Sequence, residues 1–337
     1  MIYFIVNNTA RTGKSRAIWL EMKELLENRS IEYKAYQTKY AGHATELARK
    51  ISSLPEDRIY LITVGGDGTL NEVINGISDF SRIVLGILPI GSGNDFARGM
   101  GISRDTLCNL EQILDLIESD SEGTAIDLGE VSCEALDTPK YFAISSGAGL
   151  DAIVCKKALH SRLKKFLNHL HLGKLNYLLL TVESLFSMTT CDADIVFDHG
   201  ETMHVSHMIF AAGMNLRAEG GGVPMAPDAV PDDGMLCLGM AHDVPKWLTF
   251  FLLPFLVAGK QKYIKAFECI PFKECTLHLS GSMTVHADGE YCGENTTITY
   301  KCLPGKQHFL KVSQLSSFTA AYAFPKSTVS REALFIF

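Results

Sequence analysis

Residues 58–72 read Arg58-Ile59-Tyr60-Leu61-Ile62-Thr63-Val64-Gly65-Gly66-Asp67-Gly68-Thr69-Leu70-Asn71-Glu72. The run through Val64 offers no polar face, which is the pattern of a strand buried on both sides. It stops at Gly65-Gly66, and a helical pattern opens near Leu70, with Val73, Ile74 and Ile77 as its apolar positions. The same grammar returns at residues 83–88, an apolar run followed by Pro89-Ile90-Gly91-Ser92-Gly93-Asn94-Asp95-Phe96. Strand, glycine turn and helix in alternation predict a parallel sheet with helices on its faces. Ligands of such sheets bind beyond the carboxyl ends of the strands. Glycines allow close backbone approach, and successive N–H groups leading into a helix cradle an anion. Two such loops at one sheet edge, the first carrying Asp67, point to a phosphate site.

Upstream, residues 2–6 form a short apolar run, 15–28 are helical, 31–36 alternate, and 43–53 are helical with Pro55 closing them. The α/β pattern therefore fills residues 1–127, the expected nucleotide-binding domain. Beyond Asp127 strand-like segments dominate, at 141–146, 193–197, 204–212, 235–240, 276–279, 283–287, 297–301 and 308–312. Helical insertions at 151–186 and 246–256 interrupt them. The expectation is a mainly antiparallel, β-rich substrate domain over 128–312. Residues 313–337 show no clear period; they form a C-terminal tail, with packing back onto the first domain as one option.

Composition bounds the function. At 337 residues, against about 100–200 per domain, two domains are expected. A net charge of −7 argues against a nucleic-acid partner bound through an overall basic surface. Nine scattered cysteines without a CxxC pair read as reduced thiols in a cytoplasmic protein. The N-terminal Met-Ile-Tyr-Phe-Ile-Val reads as a first strand rather than a signal peptide. The most apolar run, 247–258, holds Pro254 and falls short of the roughly 20 residues needed to span a bilayer. Gly13-Lys14-Ser15 imitates the end of a Walker A loop, but Asn8 and Thr9 stand where its upstream glycine would be needed.

Several side chains carry chemistry. Asp67, between glycines, suits either a helix cap or Mg²⁺, because hard cations prefer carboxylate oxygens. Asp127, in Ile126-Asp127-Leu128-Gly129, lies at the expected domain junction and reads equally as a turn residue. Asp288-Gly289 before Glu290 is a strong hairpin signal. Asp228, Asp232 and Asp233 crowd one loop, as a cation site or a solvated acidic turn. His204 and His207 read as strand packing, since nothing nearby completes a ligand set. From Ala152 to Val182 there is no Asp or Glu, while Lys156, Lys157, Arg162, Lys164, Lys165 and Lys174 interleave with leucines. This basic amphipathic pattern reads as peripheral contact with an anionic membrane surface or as a solvated helix face.

GGDGTLNEVING at 65–76 together with PIGSGNDFAR at 89–98 resembles the diacylglycerol kinase catalytic-domain family, which includes soluble bacterial lipid kinases and the sphingosine and ceramide kinases. The first loop alone is shared with NAD kinases and is close to a phosphofructokinase loop; the second loop and the NEVING continuation narrow it. The resemblance runs from the Asn7-Asn8 turn to His286-Ala287-Asp288-Gly289-Glu290. It implies an NAD kinase/phosphofructokinase-like α/β domain followed by the antiparallel β domain, with ATP and Mg²⁺ as cofactors. The implied nucleotide positions are Asn8, Thr9, Ala10, Arg11, Thr12, Gly13, Thr38, Gly65, Gly66, Asp67, Gly68, Thr69, Leu70, Asn71, Glu72, Gly91, Ser92, Gly93, Asn94 and Asp95. The first turn departs from the family's Asn-Pro-x-Ser-Gly form: it lacks the proline and is one residue longer. By the same resemblance Glu290 is the general base, Asp67 and Asp127 serve a water-linked magnesium network, and a structural Mg²⁺ is held by Asp233 with Val230 and Met235.

The expected activity is ATP-dependent phosphorylation of a membrane lipid hydroxyl, diacylglycerol before others. The alternatives are a soluble metabolite kinase of the NAD kinase type and a nucleotide-responsive lipid-binding protein without turnover. A homodimer is compatible with the sequence.

Overall fold

The computed structural model describes residues 1–7, 14–160 and 173–312. The first-turn residues Asn8, Thr9, Ala10, Arg11, Thr12 and Gly13, the middle of the acid-free segment and the tail 313–337 lie outside the described residues.

Four parallel strands open the chain: β1 (Ile2–Val6), β2 (Tyr33–Gln37), β3 (Ile59–Gly65) and β4 (Ile83–Pro89), in the spatial order β2-β1-β3-β4. Both β3 and β4 are buried along their whole length, as uninterrupted apolar runs require. Helices α1 (Lys14–Asn28), α2 (His43–Ser52), α3 (Asp67–Ile74), α4 (Asp95–Gly99) and α5 (Thr106–Glu118) accompany them. On α2 the buried Ala44, Leu47, Ala48 and Ile51 recur at helical spacing, so one stripe faces the core.

The second half contains β5 (Thr124–Cys133), β6 (Lys140–Phe142), β7 (Ser145–Gly149), β8 (Cys191–Phe197), β9 (Thr202–Met208), β10 (Phe210–Met214), β11 (Leu236–Ala241), β12 (Phe267–Phe272), β13 (Glu274–Ala287) and β14 (Glu290–Phe309). Its α-helices among the described residues are α6 (Leu150–His160), α7 (Gly173–Ser187) and α8 (Lys246–Val257). Pairing there is antiparallel, including β7 with β10 and β13, and β13 with β14. The expected fold class, parallel α/β followed by antiparallel β, holds.

Differences are local. The segments expected at 276–279 and 283–287 are one strand, β13, and those at 297–301 and 308–312 belong mainly to β14. Ser280-Gly281-Ser282 and Pro304-Gly305 look like breaks but sit at register shifts, which bend a strand without ending it. Conversely, 204–212 divides into β9 and β10 at Ile209, two residues after the left-handed His207, φ 51°.

The two halves are not separate bodies joined by a linker. β14 pairs with β13, with β5 along most of its length, and finally in parallel with β4 at His308 and Phe309. Residue 127 lies inside β5, so the strand crosses the boundary expected from sequence. Phe309, Leu310 and Val312 complete the core of the first lobe.

Candidate active site

The carboxyl ends of the four parallel strands are stitched into one row. Thr38 N donates to Val6 O, Asn7 N to Val64 O and Ile90 N to Gly65 O, each at 2.9 Å. Asn7 Nδ2 donates to Thr69 Oγ1 at 2.9 Å, tying the end of β1 to the first glycine loop. The two glycine loops touch backbone to backbone: a Cβ on Gly91 would lie 2.6 Å from Gly66 Cα. Only glycine permits that approach. Asn94 Nδ2 donates to Gly91 O at 3.0 Å, while its Oδ1 is buried beside both glycines without a hydrogen-bond partner. An orphaned acceptor in such a cradle fits a bound donor or cation.

Asp67 is the cross-link between the loops. Its Oδ2 accepts the Asp95 N–H at 2.9 Å and its Oδ1 the Phe96 N–H at 3.0 Å, so it caps α4 rather than the helix it begins. Burial, reinforced by the charge of Asp95 and opposed by these two donors, pushes its carboxyl up to about 6. Two carboxylates this close in a buried setting suit a divalent cation. Asp95 in turn is held by Arg98 and by the Gly221 N–H at 2.9 Å, and Arg98 Nη2 donates to Gly93 O at 2.9 Å.

Glu290 opens β14, directly after a tight turn. Asp288 and Gly289 both have positive φ, 48° and 87°, between the paired Ala287 and Glu290, the two left-handed residues of a type I′ hairpin. The Asp288 carboxylate accepts four N–H donors: Asn71 Nδ2, Ala143 N and Ile144 N at 2.9 Å and Ser145 N at 3.1 Å. Burial pushes this carboxyl up; the donors pull it back. The turn is thereby fixed to α3, and Glu290 lies against the first loop: a Cβ on Gly68 would be 3.6 Å from Glu290 Oε1.

A buried cluster backs the turn. His286 Nδ1 accepts the Gly289 N–H at 3.0 Å, and Nε2 meets Asp151 Oδ2 at 3.1 Å. An Nδ1 that accepts leaves the proton on Nε2, facing the carboxylate. Glu219 accepts the Ser145 hydroxyl, and burial pushes its carboxyl up to about 7, against the pull of His286 and with the charges of Asp151 and Asp95 adding to the rise. Ligand atoms of Asp151, Glu219 and His286 lie within 4.8 Å of one another. As a metal set it is poor, because the only imidazole nitrogen facing the acids is the protonated one.

The structure distributes the remaining sequence-predicted residues. Leu70 is buried in the first core, and Glu72 Oε2 accepts the Ala44 N–H at 3.0 Å at the start of α2. Asn71 is buried and bridges Asp288 to Tyr141 O. Asp127 lies away from the glycine loops in its contacts: its carboxylate accepts Gly234 N and Gly305 N, both at 2.7 Å. Asp233 Oδ1 accepts the Met235 N–H at 3.0 Å in the same turn as Val230; Asp233 is exposed and Val230 and Met235 are half-buried, and oxygen donors of this kind are what a hard cation takes.

Asp288, His286, Asp151, Glu219 and Arg98 were not singled out from sequence as site residues. The available signal was Gly220-Gly221-Gly222 after Glu219, a third glycine cluster, which the structure docks onto Asp95.

Comparison with known proteins agrees with this architecture. The profile of the diacylglycerol kinase catalytic domain matches residues 1–131, and that of the YegS C-terminal NAD kinase beta sandwich-like domain matches 144–311. A diacylglycerol kinase of Bacillus subtilis is 31% identical over 279 residues, 81% of this chain and 84% of its own. One from Staphylococcus carnosus is 29% identical over 293 residues, covering 86% and 88%. The crystal structure of a diacylglycerol kinase from Bacillus anthracis shares the fold, with a TM-score of 0.64 at 19% identity, covering 92% of this chain and 96% of that one. Fold and relatives together define a kinase of the lipid-kinase class, for which ATP is the phosphoryl donor. The chain belongs to the diacylglycerol kinase catalytic-domain family.

Proposed function

We propose that the chain transfers the γ-phosphoryl group of ATP to the free hydroxyl of diacylglycerol at a membrane, giving phosphatidic acid and ADP. The observation that carries this is the position of the Glu290 carboxylate against Gly68, beside two touching glycine loops. Backbone N–H groups of the loops hold the phosphates; Glu290 takes the proton as the acceptor oxygen forms its bond to phosphorus and the bond to the β-phosphate oxygen breaks. Asp67, with Asp95 beside it, would hold Mg²⁺, which when bound neutralises charge on the phosphate oxygens. Asp233, Val230 and Met235 would hold a second, structural Mg²⁺ away from the chemistry. Asp127 acts on that loop through Gly234 rather than on the phosphates.

The acid-free 152–182 segment supports a cytoplasmic protein resting peripherally on anionic lipid. Among the described residues no helix is long and apolar enough to cross a membrane. Lys156 pairs with Glu294 at 3.0 Å and Lys157 with Glu183 at 2.9 Å, so these two cations are partly spent within the protein.

The test is a screen of lipid vesicles with labelled ATP. Label on diacylglycerol is the expected result; label on NAD or on another lipid alcohol instead would overturn the substrate. A positioned base is typically worth about 10²–10⁴-fold, so Glu290→Gln is expected to lower kcat by that factor with ATP binding intact. Wild-type turnover in that variant would remove Glu290 from the mechanism.

A further inference from the structure

Helix α8, Lys-Trp-Leu-Thr-Phe-Phe-Leu-Leu-Pro-Phe-Leu-Val, is apolar all round after its first residue save for Thr249, whose hydroxyl donates to Pro245 O. Such a helix is ordinarily buried on every side. Here Thr249, Leu253 and Leu256 face the protein, whereas Trp247 (61% exposed), Phe251 (61%), Phe255 (47%) and Phe250 (39%) form a stripe open to solvent. Val257, at 60%, and Tyr263, at 75%, extend it. Phe250 also packs on the exposed Phe186 of α7, at 6.4 Å between ring centroids, joining the two helices into one surface.

The sequence flanking the stripe is mainly basic. Between Asp243 and Glu268 the chain has no acidic residue and four lysines, Lys246, Lys260, Lys262 and Lys265. Lys260 and Lys265 are exposed. The neighbouring α7 carries no acid before Glu183. Lys246 is held by Met188 O, which leaves Lys260 and Lys265 as the exposed cations following the helix among the described residues; exposed aromatics flanked by lysines complement an anionic bilayer, where aromatic rings settle at headgroup level and ammonium groups meet lipid phosphates. Helix α6 connects this surface to the chemistry: Asp151 at its start meets His286, Lys156 meets Glu294, and its Lys157 pairs with Glu183 of α7.

We propose that the aromatic face of α8 is the surface that inserts into the headgroup region of an anionic membrane, a contact separate from the basic 152–182 segment. This rests on the lipid-kinase reading, but its experiment reads a different quantity. The two tryptophans are Trp19, buried in the first core, and Trp247. In the full-length Trp19→Phe protein, Trp247 emission is expected to shift to the blue on adding phosphatidylglycerol/phosphatidylcholine vesicles and to be quenched by brominated acyl chains. Because each inserted Phe ring removes a large apolar area from water, Phe250→Ser/Phe251→Ser should weaken vesicle co-sedimentation by about 100-fold. Turnover on a short-chain diacylglycerol dispersed without vesicles should be unchanged in that variant.

Vesicle binding that survives the double substitution, with Trp247 emission unmoved, overturns the insertion face and leaves the kinase reading standing. A Trp247 shift that follows protein concentration rather than lipid assigns the face to a second copy of the chain and likewise overturns it. Loss of short-chain turnover in the wild-type protein would instead strike the kinase reading.

Discussion

Asp288 shows how much a side chain beside the proposed base can carry. Its carboxylate gathers four N–H donors from α3 and the 143–145 segment, and the turn it anchors places Glu290. A buried donor left unpaired costs about 1–3 kcal/mol, so Asp288→Ala is expected to lose on the order of 4 kcal/mol in urea denaturation. The more conservative Asp288→Asn should keep the fold and lower kcat by about tenfold through misplacement of Glu290, with ATP affinity unchanged in calorimetry. Glu219 gives a pH dependence. Its folded carboxyl sits near 7, above its ordinary value of 4.5, so the folded state binds the proton more tightly than the unfolded chain. That contribution is complete below about pH 4.5 and is lost as pH rises through about 7. Glu219→Gln, a permanently neutral stand-in, should flatten the Tm-against-pH curve across that window.

The glycine loops act as a pair of contacting elements. With 2.6 Å between a Cβ on Gly91 and Gly66 Cα, Gly91→Ala must push the loops apart. ATP affinity should then fall by about tenfold or more, because a cradle of N–H groups works only when its donors converge. Equilibrium ATP titration of the folded variant checks this. The same elements explain what was readable in advance. Apolar runs of strand length ending in glycine announce β3 and β4, and Asp288-Gly289 announces its hairpin, because each signal is local. β5 carries no such local signal, because its partner lies in β14, more than 150 residues later, and pairing rather than propensity makes it a strand. The proximity of Glu290 to the first loop could be expected only through the family resemblance. The role of Asn71 as a clamp on Asp288 was hidden for a similar reason: it sits inside a nucleotide-loop motif, and its partner is 217 positions away.

Taken whole, the molecule shares strands between its lobes, and its unfolding should reflect that. Phe309 closes the first core against Phe96, 4.9 Å between ring centroids, although it belongs to a strand that begins in the second lobe. Truncating a buried Phe costs about 3–5 kcal/mol, so Phe309→Ala should lower the urea midpoint for both lobes together. In a Trp247→Phe background, Trp19 fluorescence and far-UV circular dichroism are expected to give coincident transitions; separated midpoints would show that the lobes melt independently. Strand β14 also constrains chain length. From Ile298 to Leu303 its side chains alternate between faces, so adding or deleting one residue there would turn the downstream set inside out relative to β5 and β13. Chain length in that interval is therefore pinned, and variation among descendants of this sequence has room to accumulate in connections such as 134–139 instead.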